Sequence, residues 1–97
     1  MEIEVVSMSD HITIENAVQI RRRLSDALRS QPALATVNLS DVTYIDTSGL
    51  ATLMEANRTA HQQGTRLVLS GIREQPRYLL KINHLDHVFE IEESASS

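Results

Sequence analysis

The sequence predicts an α/β fold: a mixed, largely parallel sheet of about four strands with helices packed against it. Two observations predict it. Short runs rich in β-branched and aliphatic residues alternate with longer stretches of helical periodicity, and each stretch between strands is long enough for a crossover helix. The chain has 97 residues, room for a single core. Residues 1–91 therefore read as one domain, and 92–97 as a polar, frayed tail.

The first strand is Glu2-Ile3-Glu4-Val5-Val6-Ser7-Met8, which alternates with period two. Thr13-Ile14-Glu15-Asn16 then opens a helix, with Thr13 as its N-cap. Ala17, Ile20, Leu24, Ala27 and Leu28 form that helix's apolar stripe. Arg21-Arg22-Arg23 lies mostly off the stripe, as a solvated face with Arg22 near Asp26 or as a contact for an acidic partner. Gln31-Pro32 stops the helix, because the residue before proline leaves the α region.

Leu34-Ala35-Thr36-Val37-Asn38-Leu39 is continuous enough for a strand buried on both faces. Ser40 to Thr47 reads as a loop anchored inward by Val42 and Ile45. A second helix spans 48–63 with the small-residue stripe Gly49, Leu53, Ala56 and Ala60, and Gly64 ends it. Arg66 to Ser70 is the third strand. Pro76 falls in the first turn of a third helix that buries Leu79, Leu80 and Ile82, and Asn83 or His84 turns out of it. Val88 to Ile91 is the last strand.

Composition narrows the function. Nine Lys/Arg against 13 Asp/Glu leave a net charge of −4, which disfavours a nucleic-acid binder or an anionic-membrane binder. With no Cys there is no disulfide and no thiolate metal site. No apolar run reaches spanning length, so no direct membrane insertion is expected, and Met1–Glu4 lacks the basic start of a signal peptide. A soluble, cytoplasmic protein is expected. Aromatic residues amount to 3% (Tyr44, Tyr78 and Phe89), so aliphatic side chains must build the core.

The segment richest in chemistry is Val37 to Leu50. A buried strand leads into polar residues that deliver Asp46, Thr47 and Ser48 to a helix N-terminus, where orphan N–H groups and the positive dipole end meet. One reading is capping by Asp46 or Thr47, with Gly49 permitting close packing. The other makes Ser48, or alternatively Thr47, an acceptor of phosphate, since helix N-termini accommodate anions. Leu50 and Met54, one turn apart, are either core-edge residues or an apolar strip where a partner docks.

The string Val37-Asn38-Leu39-Ser40-Asp41-Val42-Thr43-Tyr44-Ile45-Asp46-Thr47-Ser48-Gly49-Leu50, with the helix ending at Gly64 and the Arg66–Ser70 strand, resembles the STAS domain family. That family includes the bacterial anti-sigma factor antagonists. Thr13 to Ala17 is similar to its first-helix entry and Leu85 to Ile91 to its closing segment, so the resemblance covers nearly the whole chain. Asp46 to Leu50 is its most specific part.

The resemblance implies a non-enzymatic regulatory protein without a cofactor. Ser48 would be phosphorylated by an anti-sigma factor that is also a serine kinase of the histidine-kinase-like ATPase type. The dephosphorylated form would bind that partner and release the sigma factor, and a metal-dependent serine phosphatase would reset the cycle. Asp46, Thr47, Gly49, Leu50 and Met54 would form the partner surface. A related branch, the STAS subunits of lipid-transporting ABC complexes, places a functional threonine at the position of Thr47 and docks on an ATPase. A third alternative is a structural subunit of a larger signalling assembly.

Three departures from the family pattern carry expectations. Asn38 stands where many members have an acidic residue, so a local charge or hydrogen bond should be missing. His84 replaces a common glycine, so the turn there should differ. The N-terminal strand region is shortened to one strand before the first helix, leaving a sheet edge open for homo-oligomer formation unless residues 1–8 cover for it.

Other chemistries fit poorly. His84 and His87 have no evident third metal ligand nearby, and metal sites need several converging donors. Ser48 lacks the flanking glycines of a nucleophile elbow, having Asp46 and Leu50 there instead. Gly49, Gly64 and Gly71 form no phosphate-cradling glycine loop.

Overall fold

The computed structural model describes residues 2–92. The order of elements is β1 (Ile3–Ile12), α1 (Ala17–Leu28), β2 (Leu34–Ile45), α2 (Thr47–Gln63), β3 (Arg66–Ser70), α3 (Glu74–Ile82) and β4 (Glu90–Glu92). The four strands form one sheet in the order β1-β2-β3-β4, and all three pairings are parallel. All pairings among the described strands are thus parallel, in keeping with the largely parallel sheet of about four strands that was expected.

A sheet that grows in one direction through right-handed crossovers carries its helices on one face. The packing agrees. Val6, Met8, Ala35, Val37, Leu39, Leu67 and Leu69 join Ile20, Leu24, Leu28, Leu53, Ala56, Ala60 and Leu80 in a single core. Val68 is buried as well but lies outside that core, on the opposite face. There its neighbours are cross-strand: the Arg66 guanidinium chelates the Glu90 carboxylate, with Nε 2.9 Å from Oε1, tying β3 to β4.

The two N-terminal strands run further than their patterning suggests. β1 continues to Ile12, and β2 passes through the expected loop to Ile45. Two register shifts give β2 an extra residue each, after Ser7 and after Asp10, where Asp10 takes φ 65°. The bulges explain why the segment reads as a loop: its apolar residues lose strict alternation, yet Val42 and Ile45 still reach the core. Asn38 contributes here. Its Oδ1 accepts the Ser40 N–H at 2.9 Å.

The helix ends repeat this mixture of agreement and correction. α1 begins at Ala17 and not at Thr13. Thr13 to Asn16 forms a separate turn in which the Thr13 hydroxyl accepts the Glu15 N–H and the Asn16 amide bridges the Thr13 N–H and the His11 carbonyl. Gly64 ends α2 in the left-handed region (φ 80°), as a C′ glycine should. In α3, Pro76 and Leu80 are buried and Leu79 is half-buried, but Ile82 is 52% exposed. The helix is only two turns long and has already left the sheet at Ile82. Asn83 caps it and His84 makes the turn with φ 58°, a conformation in which glycine is commoner. The last strand is Glu90–Glu92, later than expected; of the anticipated tail, Glu92 belongs to this strand and 93–97 lie outside the described residues.

Beyond Asn38, β2 has no strand partner on its β3 side. Gln75 of α3 substitutes for one. Its Oε1 accepts the Ile45 N–H at 2.8 Å and its Nε2 donates to the Ile45 carbonyl at 2.9 Å. A single side-chain amide thereby reproduces strand pairing at the residue before Asp46. Replacing Gln75 with Ala orphans both groups of a residue that is 1% exposed. The expected loss is about 1–3 kcal/mol, read as a lower urea midpoint with an unchanged slope.

Candidate functional site

The site is the junction where β2 ends and α2 begins, beside the end of β1. Asp46 is the N-cap of α2, with extended backbone (φ −106°, ψ −173°). Its carbonyl accepts the Leu50 N–H at 2.9 Å, closing the first helical turn. One carboxylate oxygen accepts the Gly49 N–H at 2.9 Å, and the other accepts the Ile14 N–H at 3.1 Å. The Asp46 N–H donates to the Ile12 carbonyl at 3.2 Å. One residue thus caps the helix and fastens it to the turn after β1. Capping, one of the two readings of this segment, is therefore present, and it is Asp46 that performs it.

These bonds set the electrostatics. The Gly49 N–H, opposed by partial desolvation and aided by the N–H groups of Ile14 and Ser48, holds the Asp46 carboxyl below its ordinary value of 3.8. The helix N-terminus consequently already carries a fixed negative charge.

Gly49 makes the geometry possible. A Cβ built there would lie 2.2 Å from the Ile12 carbonyl oxygen and 3.0 Å from the Ile12 side chain. Only glycine lets the first turn of α2 settle against the end of β1. Next to it, Thr47 is exposed and Ser48 is half-buried. The Ser48 carbonyl accepts the buried Thr52 hydroxyl at 3.0 Å. Its backbone is fixed in the first turn of the helix, and the residue as a whole is partly open to solvent.

The expected partner surface divides accordingly. Asp46, Thr47 and Ser48 reach solvent to differing degrees, and Met54 is half-buried against the core. Gly49 and Leu50 are buried, Leu50 to 5% exposure. Leu50 therefore belongs to the core and not to a docking strip, because its position one turn from Leu53 turns it toward the sheet. The line continues into Asn57, also buried, whose amide points toward the Val88 carbonyl at 3.5 Å. Sequence reasoning passed over Asn16 and Gln75, the residues that fix the flanking turn and the end of β2. Asn immediately before a helix is a recognisable terminus signal; Gln75 gave none, since its partner is 30 residues away.

The arginine run is exposed. Arg21 lies 3.8 Å from Glu55, Arg23 donates to the Ser7 carbonyl, and Asp26 pairs with Arg29 where Arg22 was expected. Among the described residues no group of three or more His, Asp or Glu side chains is arranged to hold a metal, and no helix is long and apolar enough to cross a membrane. Asp86 lies 3.9 Å from His87.

A family model for the STAS domain matches residues 2–97, and the chain belongs to that family. Solved structures share the fold. A protein from Thermotoga maritima assigned as an anti-sigma factor antagonist superposes with a TM-score of 0.88 at 22% identity, over 97% of this chain and 81% of that one. The Bacillus cell fate determinant SpoIIAA in its phosphorylated form gives 0.75 at 17% identity, over 97% and 84%. A sulfate transporter family protein from Wolinella succinogenes gives 0.74 at 21% identity, over 94% and 77%.

Two outcomes are expected at this junction. Gly49→Ala should cost about 3 kcal/mol or more in chemical denaturation, because the obstructing atoms are backbone and cannot move aside alone. Asp46→Asn should flatten the acid limb of the stability profile. The depressed carboxyl favours the fold above its ordinary value, and that contribution disappears as pH falls through the folded pKa. Urea unfolding at about pH 5 and about pH 3 should therefore show a larger drop for the parent than for the variant.

Proposed function

We propose that this chain is a non-enzymatic partner-switching module of the anti-sigma factor antagonist type, controlled by phosphorylation of Ser48. Its partner is an anti-sigma factor that is also a histidine-kinase-like serine kinase, and a serine phosphatase reverses the modification. The switch operates in the cytoplasm. The observation that supports this reading is a half-buried Ser48 in the first turn of a helix whose N-cap, Asp46, is already held in place by two N–H groups. The family membership and the fold shared with antagonists, one solved in a phosphorylated form, support it.

The electrostatic logic follows from the cap. A phosphate on Ser48 adds close to two negative charges and stands beside the Asp46 carboxylate. What remains of the helix dipole tolerates that charge, so the modified fold persists. A partner that must cover the same surface meets two adjacent anions and the cost of desolvating them. Thr47, Asp46 and Met54 border the contact, while Gly49 and Leu50 shape it from beneath. A coupling of about 1–3 kcal/mol is enough to act as a switch.

A second reading draws on the exposure of Thr47 and the likeness to a transporter family protein. In it, the chain is an accessory subunit that docks on a transport ATPase through Thr47 and is not modified.

Incubation with ATP, magnesium and purified histidine-kinase-like serine kinases from the same genome tests the proposal. Peptide mapping should find phosphate on Ser48, and Ser48→Ala should abolish it. Calorimetry should show Ser48→Asp binding the same kinase about 5- to 150-fold more weakly than Ser48→Ala. Equal affinities, or phosphate on neither Ser48 nor Thr47, would contradict the switch. ATPase binding that depends on Thr47 and ignores Ser48 would favour the second reading.

A further inference from the structure

Among the described residues no strand pairs with the outer edge of β1, along a segment whose polar groups can be assigned. Glu2 turns its carbonyl toward β2, where it accepts the Ala33 N–H at 3.0 Å. Backbone groups alternate along a strand, so Ile3, Val5 and Ser7 direct their N–H and C=O away from β2. The Arg23 side chain from α1 confirms this: it donates to the outward Ser7 carbonyl at 2.8 Å. The Ile3 and Val5 side chains lie on the sheet face opposite the core and are 60% and 61% exposed. Regular pairing of β1 ends at Ser7, where the first register shift begins. Ile3 to Ser7 is therefore a short, straight edge with one capped carbonyl.

We infer that this edge pairs with a second copy of the chain, β1 against β1 in antiparallel order about a two-fold axis at Val5. Val5 faces the Val5 of the other copy, and Ile3 faces its Ser7. Every outward N–H and C=O from Ile3 to Ser7 then finds a partner, and the exposed Ile3 and Val5 side chains of both copies cover one another. The Ser7 carbonyl passes from Arg23 to the incoming Ile3 N–H. Charge complementarity favours this occupant. Glu4 shares the core-side face of β1 with Val6, and Glu4 and Arg23 border one groove at this edge. In the pair, the Glu4 of each copy arrives opposite Val6 of the other, beside the Arg23 just released. The Arg23–Ser7 bond is thus exchanged for an Arg23–Glu4 pair between copies, twice by symmetry. Because the pairing strand is short and a bond must be broken first, the dimer is weak and concentration-dependent. It is independent of the Ser48 reading, since the edge and α2's first turn lie at different places in the fold.

Sedimentation equilibrium of the full chain up to about 1 mM tests this. The parent should show reversible monomer–dimer exchange. Val5→Pro removes only an outward N–H and leaves the β1–β2 ladder intact; it should abolish the dimer without a large change in melting temperature. Should Val5→Pro fail to fold, Val5→Lys keeps the backbone, sets like charges across the axis and should also abolish dimerisation. Glu4→Arg should weaken association at least about tenfold, and Glu4→Arg combined with Arg23→Glu should restore it. A parent that stays monomeric throughout, a dimer unaffected by either Val5 variant, or a charge swap that fails to restore association would overturn the inference.

Discussion

A single carboxylate organises the functional end of this molecule. Asp46 receives N–H groups from its own helix, at Gly49, and from the turn after β1, at Ile14. Its backbone N–H goes to Ile12. Two segments 32 residues apart in sequence meet at one residue, and those bonds tie the start of α2 to the end of β1. Gly49 is the steric counterpart, because the same Ile12 carbonyl that accepts from Asp46 leaves no room for a side chain there. Gln75 completes the arrangement from the other side by holding Ile45 as a neighbouring strand would. The first turn of α2 is built before any partner or modification reaches it.

That order of construction reconciles the two readings of the Asp46–Leu50 segment. Asp46 does the capping, so neither Thr47 nor Ser48 is needed as the N-cap, and the proposed modification of Ser48 does not compete with that role. The same carboxylate gives added charge its effect. A helix N-terminus with an unoccupied positive end would neutralise much of a new anion, whereas here the cap has already used part of that field. Under the proposed switch, a phosphate on Ser48 would change the surface more than the fold.

Much of the architecture was legible locally. The stripes of α1 and α2, the glycine that ends α2, Pro76 in the first turn of α3 and the strand from Arg66 to Ser70 follow from periodicity and terminus chemistry. What escaped depends on partners far along the chain. The extension of β2 to Ile45 is hidden by bulges that break its alternation, and its pairing is supplied partly by Gln75, 30 residues away. The spacing of Leu50 allows a place at the core edge or in a surface strip, and the structure buries it in the core. At Ile82 the helical spacing suggested burial, but α3 is too short to follow the sheet that far. The candidate site was visible as a motif; its bracing by Asn16, Ile14 and Gln75 was not.

The central claim is that Ser48 modification acts on a finished surface. Comparing amide chemical shifts of the chain with and without phosphoserine at position 48, prepared by semisynthesis, tests this most directly. Perturbations should be confined to the end of β1, the Thr13–Asn16 turn and the first turns of α2, with the amides of β3 and the distal half of α1 unmoved. Shifts spreading through the core around Leu39, Leu67 and Leu69 would show that phosphate remodels the fold, and would contradict the account.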